Sequence, residues 1–212
     1  MSKKKEPRKL VSELATNLNL LEPEIIKLDS ESRSLYVKNF LNEKEGEVLF
    51  EELKKLVPWT HGVYNMFGKP VKTPRLLYAM RDKDIDITKS YSVTESMEWT
   101  KLMDKIRKRV EKQTGKHISY AQLNYYRNGD DYIGFHTDSE VQSGDIIASI
   151  SLGASRKFTF RNKENVKNKI TVILEPNSLI IMDENSAKIK WKHSLPKMKD
   201  VGERINITFR PR

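Results

Sequence analysis

The sequence predicts an α+β fold in which a closed or sandwich-like β architecture is flanked by helices. Three observations carry this. Two segments of the first half, 43–57 and 99–113, repeat apolar residues at helical spacing. From His117 onward the pattern changes to about eight short runs of alternating apolar and polar residues, separated by Gly, Asn, Asp and Pro. That many strands in roughly a hundred residues close on themselves or pack as two sheets. With 212 residues, 37% hydrophobic and 32% charged, the chain can bury one substantial core. The expected organisation is a basic, mobile arm over 1–30 and a single domain over 31–212, with helices and loops to residue 116 and the β core over 117–212.

Taken in order, "MSKKKEPRKL" is basic and has no apolar centre, and "LVSELATNL" after it could form a short helix. "SLYVKNFL" reads as a strand. Asn42 can cap a helix over "EKEGEVLFEELKKLV", where Leu49, Leu53 and Leu56 recur at helical spacing and Gly46 weakens the first turn. Residues 58–93 read as loop-rich, with turn signals at Gly62, at Gly68-Lys69-Pro70 and at Pro74. A second helix is expected from Trp99 to Gln113, with Trp99, Leu102, Met103, Ile106 and Val110 on one face and Gly115 as its stop. Lys101, Lys105, Lys108 and Lys112 share the other face, either as a solvated surface or as a face that tracks phosphates. The strands that follow are "ISYAQLNYY", "IGFHTD", "IIASISLG", "RKFTFRN", "KITVILE", "NSLIIMD", "KWKHSL" and "RINITFR".

The chain has no cysteine, so disulfides, thiolate metal sites and a cysteine nucleophile are excluded and a metal must be held by His, Asp or Glu. Without a signal-like leader or a long apolar run, the expectation is an intracellular protein with no membrane partner. A formal net charge of +10 favours a polyanion, nucleic acid before anionic membrane. The arm is compatible with a nuclear location and equally with direct nucleic-acid contact.

In "DYIGFHTDSE" the side chains of His136 and Asp138, two apart on a strand, reach one point. Alone, the pair reads equally as a structural hydrogen bond. His193 in "KWKHSLP" supplies a third ligand from a later strand, and two imidazoles with one carboxylate make a ligand face for Fe(II) with three open positions. Zinc hydrolysis uses a similar ligand count. In "RINITFR", Arg204, Asn206, Thr208 and Arg210 share one strand face. Beside a metal triad, two guanidinium groups suit a dicarboxylate whose near end chelates iron and whose far end is held by arginine, which points to 2-oxoglutarate. Asn124 and Tyr126 in "LNYYRNG" can add hydrogen bonds to the same acid.

With these residues in place the chain resembles the AlkB-type Fe(II)/2-oxoglutarate dioxygenases, and among them the duplex-DNA-acting members. The resemblance runs from "VPWTHGVYNMFGKP" to the C terminus, with "LNYYRNGDDYIGFHTDSE", "IASISLGASRKFTFR", "NSLIIMDENSAKIKWKHSLPK" and "RINITFR" in the family's order. It implies a double-stranded β-helix, or jelly-roll, core with flanking N-terminal helices and a nucleotide-recognition lid. His136, Asp138 and His193 match the iron ligands. Asn124, Tyr126, Arg204, Asn206, Thr208 and Arg210 match the 2-oxoglutarate site, and O2 is the other cosubstrate. Glu140 matches an acid beside the exocyclic amine of a flipped base. Phe67 in "MFGK" matches an aromatic wedge that takes the extruded base's place in the stack, with Met66 and Gly68 shaping its turn and Arg75 near the lesion pocket. Tyr91 is similar to a lid aromatic, and "RNKENVKNK" to a basic loop that grips the backbone. The implied activity is oxidative demethylation of 1-methyladenine and 3-methylcytosine in DNA, duplex favoured, by a monomer. The alternatives are an RNA demethylase, a dioxygenase of protein or lipid, and a noncatalytic nucleic-acid-binding module.

Overall fold

The computed structural model describes residues 22–66, 68–86 and 95–211. Phe67, Tyr91 and the helix considered over 10–18 lie outside the described residues. The first half carries β1 (Glu24–Lys27), β2 (Arg33–Val37), α1 (Glu43–Leu56), β3 (Thr60–Met66), β4 (Lys69–Arg81), β5 (Ser96–Met97) and α2 (Lys101–Thr114). The second half holds β6 (Tyr120–Tyr126), β7 (Ile133–His136), β8 (Ile146–Gly153), β9 (Arg156–Asn162), β10 (Lys169–Leu174), β11 (Leu179–Asp183), β12 (Trp191–Leu195) and β13 (Arg204–Arg210), with a π-helical turn at Asn185–Ile189.

Two sheets face each other. The larger runs in the order β1-β2-β11-β8-β13-β6-β4-β3, with β5 on β4, and the smaller in the order β10-β9-β12-β7. The last eight strands are thus dealt between the sheets, with β6, β8, β11 and β13 in one and β7, β9, β10 and β12 in the other. This is the expected jelly roll, and all eight expected strands form.

Strand alternation decides what each face does. Leu123, Ile150, Leu152, Ile205, Ile207 and Phe209 turn outward from the larger sheet and join Leu49, Leu53, Met103, Ile106 and Val110 of the helices in one apolar cluster. Each fully buried Leu or Ile in it stabilises the fold by about 1.5–3 kcal/mol. The intervening residues turn inward to the cavity between the sheets.

The helices are capped as their sequences dictate. Asn42 accepts from Glu45 N at 2.9 Å while Glu45 accepts from Asn42 N at 3.1 Å, a reciprocal capping box. Gly46 packs against the Asn177 side chain, which a Cβ there would displace, since it would lie 1.8 Å from Asn177 Oδ1. The second helix starts two residues later than expected, since Thr100 caps it by accepting from Met103 N at 3.1 Å. Trp99 lies outside the helix and stacks on Phe209 instead. Gly115, with φ +65°, ends it as expected.

Two expectations are overturned. Residues 24–27, placed in the mobile arm, form β1 and pair antiparallel with β2. Much of 58–93, read as loop, is the β3–β4 hairpin. Pro70 and Pro74 are tolerated because β4 pairs with β6 only from Leu76 onward, so both prolines sit where β4 has no neighbour on that side. The register shift between His61 and Val63 is a bulge on β4, where Thr73, Pro74 and Arg75 face the single Gly62, and Gly62 N donates to the buried Thr73 hydroxyl at 3.0 Å.

Candidate active site

β7 and β12 are neighbours, and their register places His136 directly opposite His193. Asp138 lies two residues beyond β7, where its backbone N–H donates to Ala187 O of the π-helical turn at 3.0 Å. Their ligand atoms all lie within 4.8 Å of one another. His136 Nδ1 is engaged by Gly134 O at 2.9 Å, which leaves Nε2 for a ligand. Phe158 stacks on the His193 ring. Asp138 Oδ2 meets His193 Nε2 at 3.2 Å, and Oδ1 accepts from Arg210 Nη2 at 2.7 Å.

Electrostatics hold His136 and Asp138 in ligating form. Burial, aided by the neighbouring His193, lowers the His136 pKa to about 3, so its imidazole is neutral. Burial alone would raise the Asp138 pKa, but the Arg210 guanidinium and His193 outweigh it and the carboxylate stays ionised. Two imidazole rings and one anionic oxygen on one side of a cavity fit Fe(II).

The cavity is lined by the trio with Asn124, Tyr126, Arg204, Asn206, Thr208 and Arg210, so every residue assigned to the keto acid meets there. The two arginines differ in what they offer. Arg210 is engaged by Asp138, by Gln122 Oε1 at 3.0 Å and by Glu140 at 3.4 Å. Arg204 is 1% exposed and donates to Ser151 Oγ at 2.9 Å, while its Nε and Nη1 have no partner among the described residues. Burial lowers its pKa to about 10, still far above neutrality. A buried cation with two spare donors fits an incoming carboxylate and leaves a buried charge unmatched without one.

The family model of the 2OG-Fe(II) oxygenase superfamily matches residues 34–210. This chain belongs to that superfamily. Within it the chain is of the AlkB type. It is 33% identical over 179 residues to "DNA oxidative demethylase ALKBH2" of Bos taurus, covering 78% of this chain and 64% of that protein's length. The human ALKBH2 is 32% identical, over 78% of this chain and 68% of its own. "Alpha-ketoglutarate-dependent dioxygenase alkB homolog 3" of Homo sapiens is 29% identical, over 84% and 66%. The solved structure of OsALKBH1 shares the fold, with a TM-score of 0.62 at 16% identity over 84% of this chain and 97% of that one. The protein is therefore a dioxygenase that uses Fe(II), 2-oxoglutarate and O2.

The residues expected to meet substrate are less uniformly placed. Arg75 is buried on β4 and donates through Nε to Asn124 Oδ1 at 2.8 Å, so it borders the cavity. Glu140 stands beside Arg210 at the rim. Met66 ends β3, and Gly68 turns the hairpin with φ +79°. The lysines of α2 are exposed on the outer helix layer.

Sequence reasoning missed four residues here: Gln122, Ser149, Ser151 and Arg156. The signal was present in the same alternation. Gln122 precedes Asn124 by two, Ser149 and Ser151 alternate with Ile150 and Leu152, and Arg156 stands in phase with the inward Phe158 and Phe160.

Proposed function

We propose that this chain oxidatively removes the N-methyl groups of 1-methyladenine and 3-methylcytosine in DNA, a direct reversal of alkylation damage. Bound iron would let O2 act as the oxidant: one oxygen atom goes to 2-oxoglutarate, which leaves as succinate and carbon dioxide, and the other hydroxylates the methyl carbon, which then leaves as formaldehyde to restore the base. The observation that carries the reading is the His136/Asp138/His193 face together with the unpaired donors of Arg204 across one cavity. Relatives named DNA oxidative demethylase support the substrate class.

The chain's own groups bind and orient. His136, Asp138 and His193 would hold the metal at one wall of the cavity. Arg204, lying against the Tyr126 ring, takes the distal carboxylate of the keto acid, and Asn124 flanks its body. Arg210 keeps Asp138 ionised and in place. Glu140 accepts from an exocyclic amine presented at the rim. Phe67, which follows Met66 in the sequence, is assigned as the wedge that offsets part of the unstacking cost of base flipping, a few kcal/mol. Duplex DNA is thus the favoured form of substrate, and the enzyme acts as a monomer.

Mass-spectrometric demethylation of oligonucleotides carrying each lesion, as single- and double-stranded DNA and RNA, tests the reading. His136→Ala should abolish formaldehyde release, and near-parental turnover would reject the ligand assignment. Phe67→Ala should slow repair of duplex about tenfold relative to single strands, on the scale of ~1.4 kcal/mol per tenfold. Faster turnover of methylated RNA than of DNA would redirect the substrate assignment.

A further inference from the structure

Arg156 is a second fully buried guanidinium, and it lies close to the first. It projects from β9 into the protein at 0% exposure, in phase with Phe158 of the cavity wall. Its Nη2 donates to Asp131 O at 2.9 Å and to Pro196 O at 2.8 Å, and Nη1 donates to Asn128 O at 3.3 Å. Those carbonyls belong to two loops, one joining β6 to β7 and the other joining β12 to β13. The loops also meet directly, since Met198 N donates to Gly129 O at 3.0 Å, and a Cβ on Gly129 would collide with Met198 O.

The same guanidinium lies 5.5 Å from the centre of the Tyr126 ring, and that of Arg204 lies 5.3 Å from it. Two cations therefore share one aromatic side chain in the wall of the cosubstrate cavity. Neither makes a salt bridge among the described residues. Asp131, whose backbone carbonyl Arg156 uses, gives its carboxylate to Arg127 instead, through bonds of 2.9 and 3.0 Å. Carbonyl dipoles and a ring face compensate a buried guanidinium incompletely, so this end of the cavity carries an excess of positive charge over what Arg204 alone supplies.

We infer that Arg156 is a positioning residue for the distal carboxylate of the keto acid. It fixes the Tyr126 ring against which Arg204 lies and adds its charge to the potential at that end. It also ties this subsite to the two loops. The inference rests on the cavity taking 2-oxoglutarate, and it concerns discrimination between keto acids. A keto acid without a distal carboxylate, such as 2-oxobutyrate, should be indifferent to Arg156.

The test is binding of 2-oxoglutarate and of 2-oxobutyrate to the Mn(II)-loaded protein, followed by thermal shift without turnover. Arg156→Gln should weaken 2-oxoglutarate about tenfold and leave 2-oxobutyrate unchanged, and Arg156→Lys should restore most of the difference. A variant that keeps the parental ratio, or that loses both acids equally, overturns the inference. The parental protein gives an independent readout that needs no substitution. The 15N–1H signal of Arg156 Nε should move when 2-oxoglutarate is added and stay still with 2-oxobutyrate, and a signal indifferent to both rejects the role. Failure of the parental protein to bind 2-oxoglutarate at all would instead remove the reading of the cavity.

Discussion

Replacing Arg204 with Met should move cosubstrate affinity and ligand-free stability in different directions. The parental guanidinium is fully buried, spends one hydrogen bond on Ser151 Oγ at 2.9 Å, and keeps Nε and Nη1 unpaired. Two charge-assisted bonds to a carboxylate contribute about 1.5–3 kcal/mol each, so their loss costs about 3–6 kcal/mol. At ~1.4 kcal/mol per tenfold, the KM for 2-oxoglutarate should rise at least about 100-fold. The ligand-free protein, however, sheds an unmatched buried charge and gains an apolar side chain of similar reach. Such exchanges are often neutral or stabilising by about 1–4 kcal/mol. Succinate formation against 2-oxoglutarate concentration gives the first quantity, and urea unfolding of the metal-free protein gives the second. An unchanged KM, or a ligand-free stability lowered by more than about 2 kcal/mol, would refute the assignment of Arg204 as an anchor awaiting its anion.

Two further predictions concern the scaffold. Burial raises the Asp131 pKa, but the side-chain and backbone hydrogen bonds from Arg127 more than offset it and hold the carboxyl below its ordinary 3.8. A pKa lowered on folding stabilises fully above the unfolded value and fades as pH falls through the folded one. Asp131→Asn should therefore cost about 1–3 kcal/mol at pH 7, with the gap to the parent shrinking below ~pH 3.8. A gap constant down to pH 2.5 in urea unfolding would contradict this. Gly153 has φ +79°, and a Cβ there would lie 2.4 Å from Glu203 O and 2.9 Å from the Phe50 ring. Gly153→Ala should cost about 2–4 kcal/mol and lower Tm by roughly 5–15 °C, while Gly202→Ala, which meets nothing within 4 Å, should barely shift it. Equal melting of the two variants would dismiss the steric argument.

The β core was legible because its strands are amphipathic with mixed chemistry. In "RINITFR" the apolar residues seek the helices while the polar ones would be an error unless a cavity awaited them, so one heptapeptide announces both the strand and the site. The hairpin was illegible for the converse reason. β4 joins β6 only after its prolines, so the rule that bars proline from an interior strand does not act on it. β1 is four residues long, too short to display a period, and its pairing with β2 depends on the tertiary neighbourhood. Arg156 escaped because a lone charge in an apolar phase says only that compensation exists, and the compensating carbonyls come from loops distant in sequence.

The even and odd positions of β6 and β13 divide labour so cleanly that one network spans the cavity wall. Arg75 donates to Asn124 Oδ1, which Gln122 Nε2 also approaches at 3.4 Å, and Asn124 Nδ2 donates to Asn206 Oδ1 at 3.2 Å. Thr208 donates to the same oxygen at 2.9 Å, and Gln122 Oε1 accepts from the Arg210 that holds Asp138. Arg75 of β4 is thereby connected to a metal ligand through a chain of hydrogen-bonded side chains. Groups in one buried network do not act independently. Because β6 and β13 pair in register from Arg204 opposite Tyr126 to Arg210 opposite Tyr120, a slip of one residue would turn this whole network toward the helices and the apolar set toward the metal. The hydrophobic contacts with the helices, which contain no chemistry, are therefore what fix the geometry of the chemistry on the other face.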